Sequence, residues 1–225
     1  MDAEMICIWI AELVPLAATF FCLIYGLRHF FKKGKPLFLQ TLTMGMACHA
    51  LGSLYHLCQT LTSDTLTEGF TPAYLGRIGF FLFLITSSYT QLDKIVDDGT
   101  SKMRPARCMA WAAPILAALL YIPNAVVEDV SLGTKITYGL VWIPALFAVY
   151  FNLKHALIPN LDFGFIKAIK PYNLFALGLA FAELLVLTAW DYYYPTQLVI
   201  TTVLFAALAV ATMISARKGA EKWVL

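Results

Sequence analysis

Five ionisable side chains stand inside otherwise apolar stretches of this sequence. Glu12 and Glu183 are flanked on both sides by long apolar runs, and His49, His56 and Arg77 lie in similar surroundings. An ionisable group near the centre of a lipid-embedded helix costs at least about 2.5–3.5 kcal/mol. Each of these groups therefore needs an oppositely charged partner or a function, and both signs of charge are available.

The polar groups fall at similar depths when they are counted along ideal helices. Glu12 follows Met5 by seven residues and Glu183 precedes Trp190 by seven. At 1.5 Å per residue, both carboxylates lie about 10 Å from one boundary of the membrane. The other polar candidates in this half of the apolar stretches are His49, Ser53, His56, Arg77 and Asn124.

The second apolar stretch carries its small and polar residues on one face. Gly45, His49, Gly52, Ser53 and His56 recur at spacings of three and four, which is typical of one side of an α-helix. Lipid offers no hydrogen bonds, so such a face points toward other helices or a cavity. The sequence therefore predicts a polar pocket that opens toward the outer side.

We expect this pocket to bind a small solute, for transport or for sensing, with Glu12 and Glu183 as the charged groups. Arg77 would balance them. Histidine titrates near neutral pH, so His56 predicts pH-sensitive binding. The predicted ligand-binding residues are Glu12, His49, Ser53, His56, Arg77, Asn124 and Glu183.

Two alternatives remain open at this point. One is a zinc-dependent hydrolase acting on lipid, with the metal held by His56, Glu12 and Glu183. It is the less favoured interpretation because the chain has no HExxH motif. We therefore expect neither an enzyme nor a metal or other cofactor. The second alternative is that the polar groups only hold the helices together.

The composition points to a multi-pass membrane protein. The chain has 225 residues, of which 60% are hydrophobic and 13% charged, whereas a soluble domain carries about 25% charged residues. Seven apolar stretches are long enough to cross about 30 Å of hydrocarbon. We expect one all-α domain over residues 1–225, an integral membrane bundle of seven transmembrane helices. The predicted spans are Met5–Leu27, Leu37–Thr60, Ala73–Leu92, Cys108–Val127, Ile136–Leu153, Ala168–Trp190 and Leu198–Ile214.

The basic residues predict the orientation of the bundle. Fourteen of the sixteen lysines and arginines fall in alternate connectors, and only Arg77 and Lys135 fall on the other side. Because lysine and arginine are retained on the cytoplasmic side, we expect an extracytoplasmic amino terminus and a cytoplasmic carboxyl terminus in the plasma membrane. The last span contains no lysine, so a retinal Schiff base is excluded.

The same charges limit the choice of partners. The lysines and arginines of the connectors lie within a few residues of the spans, so we expect them to contact anionic lipid headgroups and not nucleic acid. A receptor-like protein would also need a cytoplasmic or membrane protein partner to read the bound state. Asp93-Lys94 and Asp97-Asp98 are interpreted as a solvated turn, the alternative being that Asp93 contacts a basic neighbour.

Overall fold

The computed structural model describes residues 3–30, 37–62, 70–89, 93, 97, 99–126, 131–157, 164–192 and 195–223. Nearly all of these residues are helical, and they include no strand. The predicted all-helical class is therefore confirmed. The helices are α1 (Ala3–Phe30), α2 (Leu37–Thr62), α3 (Pro72–Tyr89), α4 (Arg104–Ala110), α5 (Ala112–Val126), α6 (Leu132–Leu157), α7 (Gly164–Tyr192) and α8 (Pro195–Trp223).

Six segments are long and apolar enough to cross a membrane, one fewer than the sequence predicts. They are α1, α2, α6, α7, α8 and the joined segment Ser101–Val126, which contains a short 3-10 turn followed by α4 and α5. The remaining predicted span, α3, has 18 described residues, about 27 Å at the helical rise. It carries Arg77 and a polar end at Thr86–Ser88, which lower its mean hydropathy. The seventh crossing and the orientation remain predictions.

The distribution of polar and apolar side chains is the reverse of that in a soluble protein. Large aliphatic side chains such as Leu51 and Ile143 are exposed, whereas Glu12, His49 and Glu183 are buried. A continuous apolar exterior is costly in water and favourable in lipid. The bundle therefore has the surface of a multi-pass membrane protein.

Six of the helices form a closed ring. The order around the ring is α1, α2, α3, α6, α7 and α8, with α8 packing back against α1. The segment α5 packs outside this ring, against α6 and α7. Because successive helices cross the bundle in opposite directions, the start of α1, the end of α2, the start of α3 and the end of α7 meet at one end of the bundle.

Glycines bring α2 and α3 into backbone contact. A Cβ atom built on Gly76 would lie 2.6 Å from the carbonyl oxygen of Cys48, and one built on Gly52 would lie 2.7 Å from that of Ala73. Real Cβ atoms do not approach this closely, so the two helices can meet only where the side chain is absent. This glycine seam fixes α2 against α3 as a pair.

Candidate functional site

A small, partly enclosed hollow lies at the end of the bundle where α1 begins. Its walls come from α1, α2, α3 and α7. We call its polar residues Glu12, His49, Ser53, His56, Arg77 and Glu183 the acid–histidine cluster. The hollow is lined by Ala11, Glu12, Pro15, His49, Ser53, His56, Arg77, Glu183 and Val186.

The first pair of the cluster joins α1 to α2. His56 Nδ1 lies 2.6 Å from Glu12 Oε1, and the Thr60 hydroxyl donates to the same oxygen at 3.3 Å. The Glu12 side chain is only 4% exposed, whereas that of His56 is 20% exposed. The carboxylate is thus shielded by the bundle, and the imidazole that contacts it is the more accessible member of the pair.

The second pair joins α7 to both α2 and α3. His49 Nε2 lies 3.2 Å from Glu183 Oε2, and Arg77 Nε lies 3.0 Å from Glu183 Oε1. Ser53 Oγ lies 3.2 Å from the other imidazole nitrogen of His49. If His49 donates from Nε2 to the carboxylate, its Nδ1 accepts from the serine hydroxyl. Glu183 is therefore held between a neutral or charged imidazole and a permanent cation.

Two groups on the wall of the hollow depart from regular hydrogen bonding. Glu183 Oε1 accepts no hydrogen bond of good geometry among the described residues, but it is ion-paired with Arg77 Nε at 3.0 Å. Pro15 has no N–H and so cannot donate to the carbonyl of Ala11, four residues before it in α1. Both Ala11 and Pro15 line the hollow.

Aromatic rings hold the basic side chains in place. The ring of Phe205 stacks on His49 with centroids 4.6 Å apart, and Phe80 meets the same imidazole edge-on at 5.4 Å. The guanidinium of Arg77 lies 5.5 Å from the centre of the Tyr74 ring. These contacts restrict the rotamers of both bases, so the hollow is largely preformed.

Six of the seven predicted ligand-binding residues line the hollow, and Asn124 does not. Asn124 is buried between α5 and α7, where its Nδ2 donates to Thr188 Oγ1 at 3.4 Å. Its depth along α5 resembles that of the other candidates, but α5 packs outside the ring of helices. The structure therefore places Asn124 in a helix–helix contact away from the acid–histidine cluster.

The described residues contain no group of three or more histidine, cysteine or acidic side chains arranged to hold a metal ion. Glu12 pairs with His56, and Glu183 pairs separately with His49. The zinc alternative built on His56, Glu12 and Glu183 gains no support from this geometry.

A second buried cluster of charges lies at the opposite end of the bundle. Lys154, near the end of α6, contacts Asp93 and also donates to Asp97 Oδ2 at 3.2 Å. His155 Nε2 lies 2.9 Å from Asp93 Oδ1, and Arg107 donates to the carbonyl of Thr100 at 2.6 Å. We call Asp93, Asp97, Arg107, Lys154 and His155 the aspartate–lysine cluster.

The interpretation of Asp93 and Asp97 as part of a solvated turn is wrong. The Asp97 side chain is 8% exposed, and that of Lys154 is 5% exposed. Burial by itself would raise the pKa of the Asp93 carboxyl, but hydrogen bonds from His155 and Lys154, with the positive charge of Lys154, hold it below its ordinary value of 3.8. Lys94 and Asp98 lie outside the described residues.

The sequence contained one signal for this cluster. Asp93 and Asp97 are spaced i, i+4, which places two carboxylates on one side of a helical turn. Their partners lie about sixty residues away on α6, and sequence spacing cannot show such a long-range contact. Lys154 stands near the end of a predicted span, where basic residues are expected to contact lipid headgroups. Its position in the sequence therefore does not indicate that it is buried.

Comparison with family models, with curated proteins and with solved structures gives no match for this chain. Its class therefore follows from the fold and the site alone. The chain is a helical bundle of the multi-pass membrane type. One end of the bundle has a hollow lined by acid–base pairs, and the other end has a buried ion-pair cluster.

Proposed function

We propose that this protein binds a small solute in the hollow of the acid–histidine cluster, as a transporter-like or receptor-like protein of the plasma membrane. The predicted orientation makes this hollow open to the outside. The observation that carries the proposal is that two almost fully buried carboxylates, from α1 and α7, line one open hollow.

The opening is what distinguishes binding from a purely structural role. Polar groups that only join helices are best satisfied in a sealed contact, where each donor meets an acceptor. Here both acid–base pairs border a hollow, and the His56 side chain is 20% exposed. Charged groups that are desolvated yet reachable are typical of a ligand site in a membrane bundle.

The site also spans helices whose relative positions a solute would alter. Glu12 lies on α1 and Glu183 on α7, whereas His56 and Arg77 lie on the α2–α3 pair. A solute that competes for either carboxylate changes the contacts between these helices. Differential contacts of this kind are what couple binding to transport or to signalling.

Chemical access to Ser53 tests the proposal. Ser53→Cys, made in a chain whose five native cysteines are replaced by serine or alanine, should react with a charged methanethiosulfonate in detergent solution. The matched control is Ser88→Cys, because Ser88 is fully buried and hydrogen-bonded to Asn152. We expect fast reaction at position 53 and none at position 88. Equal, slow rates at both positions would contradict a solvent-accessible pocket.

A further inference from the structure

The charges of the acid–histidine cluster are segregated between two parts of the bundle. All three basic groups, His49, His56 and Arg77, lie on α2 and α3, the pair joined by the glycine seam. Both acids lie outside this pair, Glu12 on α1 and Glu183 on α7. The cluster is therefore an interface between a basic helix pair and two acidic helices.

The hollow holds more negative charge than permanent positive charge. Arg77 is its one permanently charged cation among the lining residues, and it contacts Glu183. Among the described residues, the basic partner of the Glu12 carboxylate is the His56 imidazole. When both imidazoles are neutral, one negative charge remains without a balancing cation. An uncompensated charge inside a membrane bundle is expensive and attracts a counter-ion.

We propose that the solute is a small ammonium-type cation that binds at Glu12 and Glu183 in competition with a proton. This inference rests on the proposed function and names its substrate class. A protonated amine supplies the missing positive charge and N–H donors. Those donors match the carboxylates of Glu12 and Glu183, which both line the hollow.

The hydrogen-bonding chemistry favours an amine over other cations. A quaternary ammonium ion carries the same charge but no N–H donor, so it leaves these acceptors unsatisfied. A metal ion needs several ligands at fixed short distances, and the described residues contain no group of three acidic, histidine or cysteine ligands. The small size of the hollow also favours a small cation.

Proton competition sets the sign of the pH dependence. The titratable and charged groups that face the hollow are Glu12 from α1, His49 and His56 from α2, Arg77 from α3 and Glu183 from α7. A proton taken up by an imidazole supplies the positive charge that the amine would otherwise bring. Amine affinity therefore falls as pH falls and protons occupy the cluster.

Thermal unfolding of the purified full chain in detergent, with methylammonium chloride as the probe, tests the inference. We expect a saturable rise of the midpoint at about pH 8 and a weaker response at about pH 5.5, on either side of the histidine range. Tetramethylammonium chloride and sodium acetate at matched ionic strength should give little response. An equal response to tetramethylammonium, a stronger response to acetate, or an unchanged response at the two pH values would overturn the inference.

Variants locate the binding site. Glu12→Gln and Glu183→Gln remove one negative charge each and should weaken the apparent affinity for methylammonium by about tenfold or more. The matched control is Glu221→Gln, because Glu221 is an exposed acid on α8 that pairs with Arg217 away from the hollow. Glu12→Asp keeps the charge and should retain binding if Glu12→Gln proves unstable. Unchanged affinity in both glutamine variants would exclude this site.

The two proposals can fail separately. If Ser53→Cys reacts readily and acetate, not methylammonium, protects it from the reagent, the hollow is a solute site and only the cationic assignment falls. If Ser53→Cys does not react in the folded chain, both the proposed function and the cationic assignment are contradicted.

Discussion

The acid–histidine and aspartate–lysine clusters solve the same electrostatic problem in different ways. Both pair carboxylates with basic groups from other helices. In the aspartate–lysine cluster, Lys154 contacts two carboxylates and lies 5.2 Å from the centre of the Phe151 ring, and the His155 side chain has no exposed surface. In the acid–histidine cluster, His56 is 20% exposed and borders a hollow.

This difference distinguishes an ion-pair cluster that stabilises the bundle from one whose carboxylates can exchange their partners for a solute. A buried cation shared by two acids has little to gain from a new partner, and breaking it leaves charge stranded in a low-dielectric interior. A carboxylate that borders the hollow can exchange its basic partner for a bound solute at a lower cost in free energy. We therefore interpret the aspartate–lysine cluster as a structural tie between α6 and the two aspartates that follow α3 in the sequence, and the acid–histidine cluster as the ligand site.

The largest expected effect in this comparison is that of Glu183→Leu. The substitution leaves Arg77 and His49 without their carboxylate and should lower the free energy of unfolding by about 3–5 kcal/mol. Denaturation of the detergent-solubilised chain with a stronger detergent, followed by circular dichroism, measures the loss. Glu183→Gln keeps the size and part of the hydrogen bonding and should cost less. A loss below about 1 kcal/mol in Glu183→Leu would mean that the ion pairs are not desolvated.

Lys154→Met should have a nearly equal effect, at about 3 kcal/mol, because it removes the cation that two carboxylates share. Asp93 keeps His155 and Asp97 keeps Arg107, so the loss is slightly smaller than for Glu183. The same unfolding assay applies. The variant should retain the methylammonium response, because Lys154 lies at the opposite end of the bundle from the hollow. Loss of that response with an unchanged unfolding free energy would reverse the roles assigned to the two clusters.

Gly76→Ala tests whether the α2–α3 pair supports the ligand site. The new methyl group would lie 2.6 Å from the Cys48 carbonyl oxygen, so the helices must separate at a cost of about 1–3 kcal/mol. Gly178→Ala is the matched control, because its Cβ would meet Leu208 at an ordinary 3.4 Å. We expect a lower unfolding midpoint and weaker methylammonium binding only in Gly76→Ala. Similar midpoints for the two variants would contradict the close backbone contact.

The two clusters should also differ in their response to acid. The folded-state pKa of Asp93 lies below its ordinary value of 3.8, so its contribution to stability is present above pH 3.8 and is lost as pH falls through the folded-state value. The unfolding midpoint of Asp93→Asn should therefore depend less on pH below 3.8 than that of the parent chain. Parallel curves would show that Asp93 is not preferentially ionised in the folded protein. Solute affinity, by contrast, should change near neutral pH.

The sequence predicts the class and one face of the site well because both depend on local pattern. The spacing of Gly45, His49, Gly52 and His56 places them on one side of α2 whatever the helix packs against. High apolar content and scarce charge leave few alternatives to a helical membrane bundle. For the same reason, burial of Glu12 and Glu183 beside basic groups could be expected from the cost of charge in lipid.

The features of the site that the sequence does not predict depend on which helices are neighbours. Asn124 has the right depth, but α5 packs outside the ring, and no local spacing encodes that placement. The contacts of Lys154 with Asp93 and Asp97 are likewise long-range. Gly52 and Gly76 bring α2 against α3. In the sequence they are only small residues on two separate helices, and this pattern does not show that the two helices pack together.

Hydrogen exchange at the imidazole C2 position, measured by mass spectrometry on the full chain, compares the two clusters in one experiment. We predict that His56 exchanges much faster than His155, and that methylammonium slows exchange at His56 while leaving His155 unchanged. Equal exchange rates at the two histidines, or slowing of His155 by the probe, would contradict the assignment of one cluster to ligand exchange and the other to structure.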